Sequence, residues 1–380
     1  MSDLAGNPYA SIVELSKAYL NKSVSPSEVT KAQLARIDIL DAKLGSYQTI
    51  YGDEALAAAR AADKAYTEDA RLGPFHGIPF ALKDIYELKG QITTCGSYEM
   101  RQRISTETGT VVRRLLEVGG IAIGKTKTVE CALGGWGTNE HMGTPWNPWD
   151  LEHPRVPGGS SSGSGVAVAS GLASCATGSD TGGSVRLPAA YCGLTGLKVS
   201  KACLPTDGIM PLSQTLDTPG PMTRNMADLA LMFSIMTGID GRKIETDMMN
   251  GHGLFNIQMN IFKGLKFGII DQKERSRCTD DILKSYDETL NLLVDLGAEL
   301  EVFTSPVAYD DMAQFNGAIT MYEGYRNHRH LYDDPSKSVD QNVKRRMLVG
   351  RDITPQKHAD LLSKRQDHQL IFKNAMADFD

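Results

Sequence analysis

The stretch from Gly158 to Ser200 constrains this 380-residue chain more than any other part of its sequence. It contains two turns, Gly158-Gly159-Ser160 and Gly182-Gly183-Ser184, whose serines lie 24 residues apart. A run of small apolar residues, which must pack, separates the turns. Glycine permits tight turns and lets backbone N–H groups approach a ligand closely. The stretch therefore predicts the two walls of an active site, each ending in a hydroxyl.

Three familiar interpretations of this stretch fit poorly. A flexible linker is disfavoured because apolar segments flank the short run on both sides. A phosphate cradle is disfavoured because Ser164 stands where a P-loop needs lysine, and Val168 where GxGxxG needs its third glycine. The GxSxG elbow of α/β-hydrolases does match Gly159–Gly163, but Glu152–Pro157 ahead of it is a poor strand.

The fourth interpretation is a serine nucleophile that is activated by a lysine. Lys83 ends the apolar run Phe80-Ala81-Leu82, where burial would disfavour the charged amine and lower its pKa. A neutral lysine can act as a general base. Taken alone, however, Lys83 is better explained as an ordinary strand-end lysine paired with Asp84.

Composition argues against several other classes of protein. The net charge of −6 disfavours a nucleic-acid surface, and Lys344-Arg345-Arg346, the densest basic cluster, is typical of a solvated helix face. Six cysteines without a CxxC spacing argue against a zinc site. The N-terminus does not resemble a secretory leader, and no apolar run approaches the roughly 18 residues that span a membrane. We therefore expect a cytoplasmic enzyme with reduced thiols.

Helical patterns alternate with short apolar strands, which predicts an α/β fold. A capping box, Ser25-Pro26-Ser27-Glu28, marks the start of one helix. Further helices are predicted over Glu54–Tyr66, Val111–Val118, Val166–Leu172, Met226–Met236, Asp280–Leu296 and most of 312–380. Strands are predicted over Phe80–Leu82, Ile121–Ile123, Cys175–Gly178, Phe267–Ile270 and Ala298–Phe303. Gly134–Pro157 should be loop, and the lack of a convincing linker favours one large domain, residues 1–380.

The chain closely resembles the amidase signature family. The stretch Gly158–Ser200 is similar to the family's signature, and Gly77–Asp84 to its lysine segment. Other similar segments are Gly124-Lys125-Thr126 with Glu130, Asn147-Pro148-Trp149 and Leu216–Arg224. The resemblance implies a central mixed twisted sheet covered on both faces by helices, with a signature core over about residues 75–225.

The resemblance also implies roles for individual residues. Ser184 is expected to be the nucleophile, Ser160 a bridging serine after a cis peptide bond, and Lys83 the terminal base. A serine can pass a proton on because it donates one hydrogen bond while accepting another. The residues expected at the oxyanion hole and the acyl site are Thr181, Gly182, Gly183, Ser184 and Ala132. No metal and no cofactor are expected.

Several supporting residues carry weaker expectations. Asp180 and Arg186 should hold the second turn in shape, and Cys192 should be an inert core thiol. Six aromatic residues leave two interpretations open, a substrate pocket or ordinary core and surface positions. They are Trp136, Trp146, Trp149, Tyr309, Tyr322 and Tyr325.

The resemblance implies an amidohydrolase that cleaves the C–N bond of a small carboxamide, or of a related urea or carbamate, through an acyl-enzyme. Its partners would be the amide and water, with no nucleic acid or membrane, and a homodimer stays open. The alternative is the glutamine-hydrolysing A subunit of a tRNA-dependent amidotransferase, although Met321–His328 lacks that subunit's Ser-Asn-Leu segment. Family chains usually continue beyond a segment like Ala377–Asp380, so we expect a C-terminal end that is missing, cleaved or disordered.

Overall fold

The computed structural model describes residues 6–244 and 261–380. These residues form two compact units. The first comprises residues 6–244 and Thr320–Asp352, and the second comprises residues 261–319 and Ile353–Asp380. All predicted catalytic residues belong to the first unit. The extent of one domain over residues 1–380 stays a prediction.

A six-stranded mixed sheet lies at the centre of the first unit, in the order β1-β3-β2-β4-β6-β5. Its strands are β1 (Tyr47–Ile50), β2 (Pro79–Lys83), β3 (Ile121–Thr126), β4 (Cys175–Asp180), β5 (Thr195–Gly196) and β6 (Thr218–Thr223). The central strand β2 pairs in parallel with β3 and β4. The outer pairs β1–β3, β4–β6 and β5–β6 are antiparallel. The predicted α/β class with a mixed sheet is confirmed.

Helices cover both faces of this sheet. They are α1 (Ile12–Leu20), α2 (Pro26–Leu44), α3 (Gly52–Thr67), α4 (Thr110–Glu117), α5 (Ser162–Ala169), α6 (Arg186–Cys192) and α7 (Met226–Thr237). Phe80 and Leu82 of β2 share one core cluster with α1, α4 and α7, whereas Ala81 shares another with α3 and α5. Because successive strand residues point to opposite faces, these two clusters fill the two sides of the sheet.

Of two predicted helix starts, one is confirmed and the other lies earlier in the chain than predicted. The predicted capping box is present at α2, where the Ser25 hydroxyl and the Glu28 carboxylate each accept from the other's backbone N–H. Helix α5 begins at Ser162, four residues before the predicted start at Val166. Its first turn looks like loop sequence, but a side chain at Gly163 would overlap the Ser46 carbonyl oxygen. Glycine is required there by close packing, so the small residues belong to a buried helix.

Strand β6 was not predicted, because its sequence Thr-Pro-Gly-Pro-Met-Thr contains two prolines. Gly220 lies opposite Gly178, and the prolines lie opposite Thr177 and Ser179. Hydrogen-bonded and non-hydrogen-bonded pairs alternate in an antiparallel ladder. Both prolines therefore occupy positions that do not donate to β4, and β5 reaches only Met222 and Thr223 on the other side.

The second unit contains a two-stranded parallel sheet of β7 (Lys266–Ile270) and β8 (Glu299–Phe303). The connection between them contains α8 (Gln272–Arg275) and α9 (Asp280–Asp295), as a parallel pair requires a crossover. The remaining helices of the described chain are α10 (Tyr309–Tyr332), which has residues in both units, α11 (Gln341–Arg351), which belongs to the first unit, and α12 (Pro355–Ala375), which belongs to the second. They agree with the mostly helical prediction for 312–380. Among the described residues, no helix is long and apolar enough to cross a membrane.

Candidate active site

The predicted catalytic residues meet at one edge of the sheet. Lys83 ends β2, and Asp180 ends the neighbouring parallel strand β4. The carboxyl ends of parallel strands lie at the same edge, which is where open α/β sheets bind ligands. Ser160 precedes α5, and Ser184 lies between β4 and α6. The two glycine turns therefore flank the end of β2.

Lys83 is completely buried at this edge. Its Nζ lies 2.8 Å from Ser160 Oγ and 2.7 Å from Ser179 Oγ. Burial lowers the pKa of Lys83 to about 7, because a buried amine loses the hydration of its charge. Lys83 is therefore no ordinary strand-end lysine: its amine can be neutral near pH 7 while it touches a serine hydroxyl.

The first glycine turn is attached to its surroundings through its backbone. The Gly159–Ser160 peptide bond is cis, as the resemblance implied. The Ser160 carbonyl accepts hydrogen bonds from Thr128 Oγ1 at 2.9 Å and from the Val129 N–H at 3.3 Å. The N–H of Ser161 donates to the Ser184 carbonyl at 3.3 Å. This bond joins the two serine turns directly.

The second turn is organised around the buried carboxylate of Asp180. It accepts from the N–H of Gly183 at 2.7 Å and of Val185 at 3.2 Å. It also forms a bidentate pair with Arg186, through Nε and Nη2 at 2.9 Å each. Burial would raise the pKa of Asp180, but the hydrogen bonds and charge of Arg186 outweigh it and hold the pKa below its usual value. Asp180 and Arg186 therefore shape the turn, as expected.

One of the four predicted oxyanion donors, the N–H of Gly183, already has an acceptor in this structure. The N–H of Gly183 is already donated to Asp180, and a φ of +128° at this glycine directs the turn. The N–H groups of Thr181, Gly182 and Ser184 have no acceptor within the part of the chain that the structure describes. Thr181, Gly182, Gly183 and Ser184 all stay predicted oxyanion donors, and in this structure the Gly183 N–H also holds the shape of the turn.

Only one of the two hydrogen bonds in the predicted proton path is present. Lys83 contacts Ser160, but Ser184 Oγ forms no hydrogen bond to any described residue. Ser184 is also slightly open, at 9% exposure, whereas Ser160 is fully buried. Catalytic hydrogen bonds are often long in unliganded enzymes and tighten when substrate binds. In this structure the predicted path therefore joins the Lys83 amine to Ser160 and stops short of Ser184 Oγ.

A small cavity adjoins this arrangement. Ala132 and Thr181, both predicted at the site, line it together with Ser179 and Asp217. The rest of its wall is largely apolar and includes Ile85, Ile209, Met210 and Leu212. Asp217 Oδ1 accepts from Thr181 Oγ1 at 2.5 Å, and its other oxygen accepts from the N–H groups of Leu212 and Ser213 at 2.8 and 2.9 Å. Asp217 thus fastens one cavity wall to the second turn.

The backbone at Ala132 is held in an uncommon conformation. Ala132 and its neighbour Cys131 have φ values of +59° and +48°, in the left-handed region that non-glycine residues rarely adopt. The preceding Glu130 is buried, and its carboxylate accepts from Tyr332 Oη at 2.9 Å and from the Asp340 N–H at 3.1 Å. These contacts secure the loop whose residue Ala132 lines the cavity.

A larger groove of the first unit lies elsewhere. Arg36, Leu40, Lys43 and Trp149 line it, and none of the predicted catalytic residues does. Cys192 also reaches this groove, where burial raises the pKa of its thiol to about 12, so the thiol is unreactive. No group of three His, Cys, Asp or Glu side chains in the described ranges is placed to hold a metal ion.

Comparison with known proteins places the chain in a family. A family model described as Amidase matches residues 28–378. The chain belongs to the amidase family. It is 35% identical over 361 residues to the A subunit of glutamyl-tRNA(Gln) amidotransferase from Geobacter metallireducens, over 89% of this chain and 73% of that protein. The relative of the same name from Alkaliphilus metalliredigens is 31% identical over 395 residues, 97% of this chain and 80% of that protein.

Solved amidase structures share the fold of this family member. A structure titled as an amidase matches with a TM-score of 0.85 and 26% identity, over 98% of this chain and 80% of that one. The native peptide amidase from Stenotrophomonas maltophilia matches with a TM-score of 0.75 and 27% identity, over 93% and 78% of the two chains. The resemblance seen in the sequence is confirmed.

Sequence reasoning missed two polar contacts of the site, Ser179 and Asp217. Ser179 lies in β4 and touches Lys83 across the sheet, while Asp217 reaches Thr181 from the segment before β6. Asp217 falls inside a segment similar to the family, but neither residue has a spacing that points to its partner. Both contacts could have been found only from the pairing of β2, β4 and β6, and β6 was not predicted.

Replacing Asp180 with alanine should loosen the second turn. The change leaves three backbone N–H groups and the Arg186 guanidinium without their acceptor, so the free energy of unfolding should fall by about 2–4 kcal/mol. Urea unfolding measures this loss. Asp150→Ala is the matched control, because that carboxylate pairs with Arg155 on an exposed loop, and its loss should change the free energy of unfolding far less. Equal stabilities of the two variants would contradict the role given to Asp180.

Proposed function

We propose that this protein hydrolyses the C–N bond of a small carboxamide, with Ser184 as nucleophile, Ser160 as relay and Lys83 as base. The observation that carries the proposal is the buried Lys83 amine, 2.8 Å from the Ser160 hydroxyl. Membership of the amidase family supports it. A serine hydroxyl is a weak nucleophile until a nearby base removes its proton, and Ser-Lys arrangements are one variant of the serine triad.

The first half of the proposed reaction forms an ester. Neutral Lys83 takes the proton of Ser160, which takes the proton of Ser184 as Oγ attacks the amide carbon. The N–H groups of Thr181, Gly182 and Ser184 donate hydrogen bonds to the developing oxyanion. One such donor lowers the free energy of the transition state by roughly 3–4 kcal/mol. The C–N bond then breaks, and the proton returns through Ser160 to the leaving nitrogen. Ammonia or an amine departs, and the acyl group stays on Ser184.

The second half repeats these steps with water. Water gives its proton through Ser160 to Lys83, and its oxygen attacks the ester carbon. Collapse of this intermediate breaks the bond to Ser184 Oγ, which recovers a proton, and the carboxylic acid leaves. No cofactor takes part, because the reaction consists of two acyl transfers with no change of oxidation state.

A hydrolysis screen tests the proposal. Short aliphatic, aromatic, urea-like and carbamate-like amides are offered together with glutamine, and released ammonia or amine is measured. We expect turnover of at least one carboxamide and, by intact-mass spectrometry of a rapidly quenched sample, an acyl adduct on Ser184. Absence of turnover across the whole panel, or an adduct on another residue, would overturn the proposal.

Glutamine is a second candidate substrate, and two observations favour it. The relatives from Geobacter metallireducens and Alkaliphilus metalliredigens are named as components of a glutamyl-tRNA(Gln) amidotransferase. In addition, Arg346 of α11 donates from Nη1 to the Leu133 carbonyl at 3.1 Å, next to Ala132. Arg346 has no ion pair with a carboxylate of the described chain, so its guanidinium is available to a substrate carboxylate.

Replacing Arg346 with glutamine should separate the two candidates. If glutamine is the substrate, its KM should rise about tenfold or more, the value of one charge-assisted hydrogen bond, while propionamide hydrolysis changes little. Steady-state kinetics with both amides measure this. Arg345→Gln is the matched control, because the neighbouring Arg345 is exposed and donates to Asn342 of its own helix. A glutamine KM that stays unchanged in the Arg346 variant would remove this support for glutamine.

A further inference from the structure

The three tryptophans of the chain have different surroundings. The indole N–H of Trp146 donates to the His153 carbonyl at 2.8 Å, and that of Trp149 to the Cys192 carbonyl at 2.9 Å. Trp146 also carries the Lys43 ammonium over its ring at 4.9 Å. Trp136 has neither a hydrogen-bond partner nor a ring partner within residues 6–244 and 261–380. Trp136 is 63% exposed, which leaves a large apolar surface in water.

The backbone that carries Trp136 is fixed against the first serine turn. The Gly159 N–H donates to the Gly135 carbonyl at 2.8 Å. A side chain at Gly137 would overlap the Gly158 carbonyl oxygen. The residues on either side of Trp136 therefore touch the two residues that precede Ser160.

The second turn lies on the other side of the same loop. A Cβ at Gly135 would lie 3.3 Å from Leu187 Cδ1, and a Cβ at Gly183 would lie 3.0 Å from the same atom. One leucine thus touches both the Trp136 loop and the residue before Ser184. Gly182, a predicted oxyanion donor, is itself exposed at this place. The loop that carries Trp136 therefore contacts both serine turns, next to a stretch where Gly182 is exposed.

We propose that Trp136 binds substrate at the mouth of this site, where its indole face stacks on a planar aromatic group of the amide. The inference rests on the proposed function and names its substrate class, aryl-bearing carboxamides. A free indole on a fixed loop suits this role, because aromatic side chains gain most from flat partners and lose little conformational freedom on binding.

Kinetics with paired substrates test the inference. Benzamide carries its ring on the acyl side and acetanilide on the leaving side, while propionamide has none. For the aryl amide that stacks, Trp136→Ala should lower kcat/KM by about tenfold, mainly by raising KM. For propionamide, kcat/KM should change by less than about twofold. Trp136→Phe keeps a ring and should recover most of the loss. Trp149→Ala, at another exposed tryptophan that lines the separate groove, should change the kcat/KM of neither the aryl amides nor propionamide.

A binding measurement keeps the test independent of turnover. In the Ser184→Ala protein, benzamide and acetanilide are titrated while tryptophan fluorescence is followed. The ligand that stacks should quench the emission, and the quenching should vanish in Ser184→Ala with Trp136→Phe. If wild type turns over no amide of the whole screening panel but the quenching is seen, the proposed function fails while the binding role stands. Equal losses for aryl and aliphatic amides, or quenching that persists without Trp136, would overturn the inference.

Discussion

Replacing Ser184 with alanine should lower amide hydrolysis by about 10⁴-fold or more, the size of loss seen when a serine nucleophile is removed. Alanine has no oxygen that could form the ester, so only the binding and oxyanion contributions stay. The fold should be unaffected, since Ser184 Oγ makes no hydrogen bond to the described residues. Ammonia release and thermal unfolding, measured on one preparation, check both statements.

The Lys83→Met variant should be nearly as inactive, with a loss of about 10³-fold or more. Methionine fills the same buried space without an amine, so the hydroxyl of Ser160 keeps its proton and Ser184 stays a weak nucleophile. Lys89→Met is the control, because that lysine is exposed and lies outside the site. Turnover near the wild-type rate in either the Ser184 or the Lys83 variant, with the protein folded, would refute the mechanism.

The local parts of this site were predictable from the sequence. Ser160 and Ser184 stand in glycine turns whose composition marks them, and Lys83 ends an apolar run. The strand that carries Lys83 could be predicted from residue type, because Phe80, Ala81 and Leu82 are all apolar. All three are buried in the structure. What the residues alone left undecided was whether Lys83 meets a serine or Asp84.

The contacts between distant segments were not predictable. Lys83 meets Ser179 because β2 and β4 are neighbours in parallel, and no local pattern states which strands pair. Asp217 reaches Thr181 only because a proline-containing segment pairs with β4 as β6. The commitment of the Gly183 N–H to Asp180 follows from the turn geometry, which glycine permits in many forms. Pairing and turn conformation are tertiary properties, so they had to come from the structure.

Activity should rise with pH through neutrality. Burial lowers the pKa of Lys83 to about 7, and only the neutral amine can accept the proton of Ser160. Below pH 7 the neutral fraction falls tenfold for each pH unit, so kcat/KM should fall with a slope of one; above about pH 8 it should level off. Asp180 has a lowered pKa and stays ionised over this range, so it adds no second step.

Stability gives an independent check on the same group. Lys83 has a pKa of about 7 when buried and an ordinary value of 10.5 when exposed. Between these values the unfolded chain binds a proton that the folded chain does not, so the free energy of unfolding should increase with pH across this window. Below pH 7 both states carry the proton, so the free energy of unfolding no longer changes with pH through Lys83.

The Lys83→Met variant separates this effect from all other titrations. Denaturant unfolding of wild type and variant at matched pH values between 6 and 10 gives the difference in stability. That difference should grow in favour of wild type as the pH rises above 7, while the wild-type activity profile rises through the same pH. An activity maximum near pH 5, or a stability difference independent of pH, would show that Lys83 keeps its charge and cannot serve as the base.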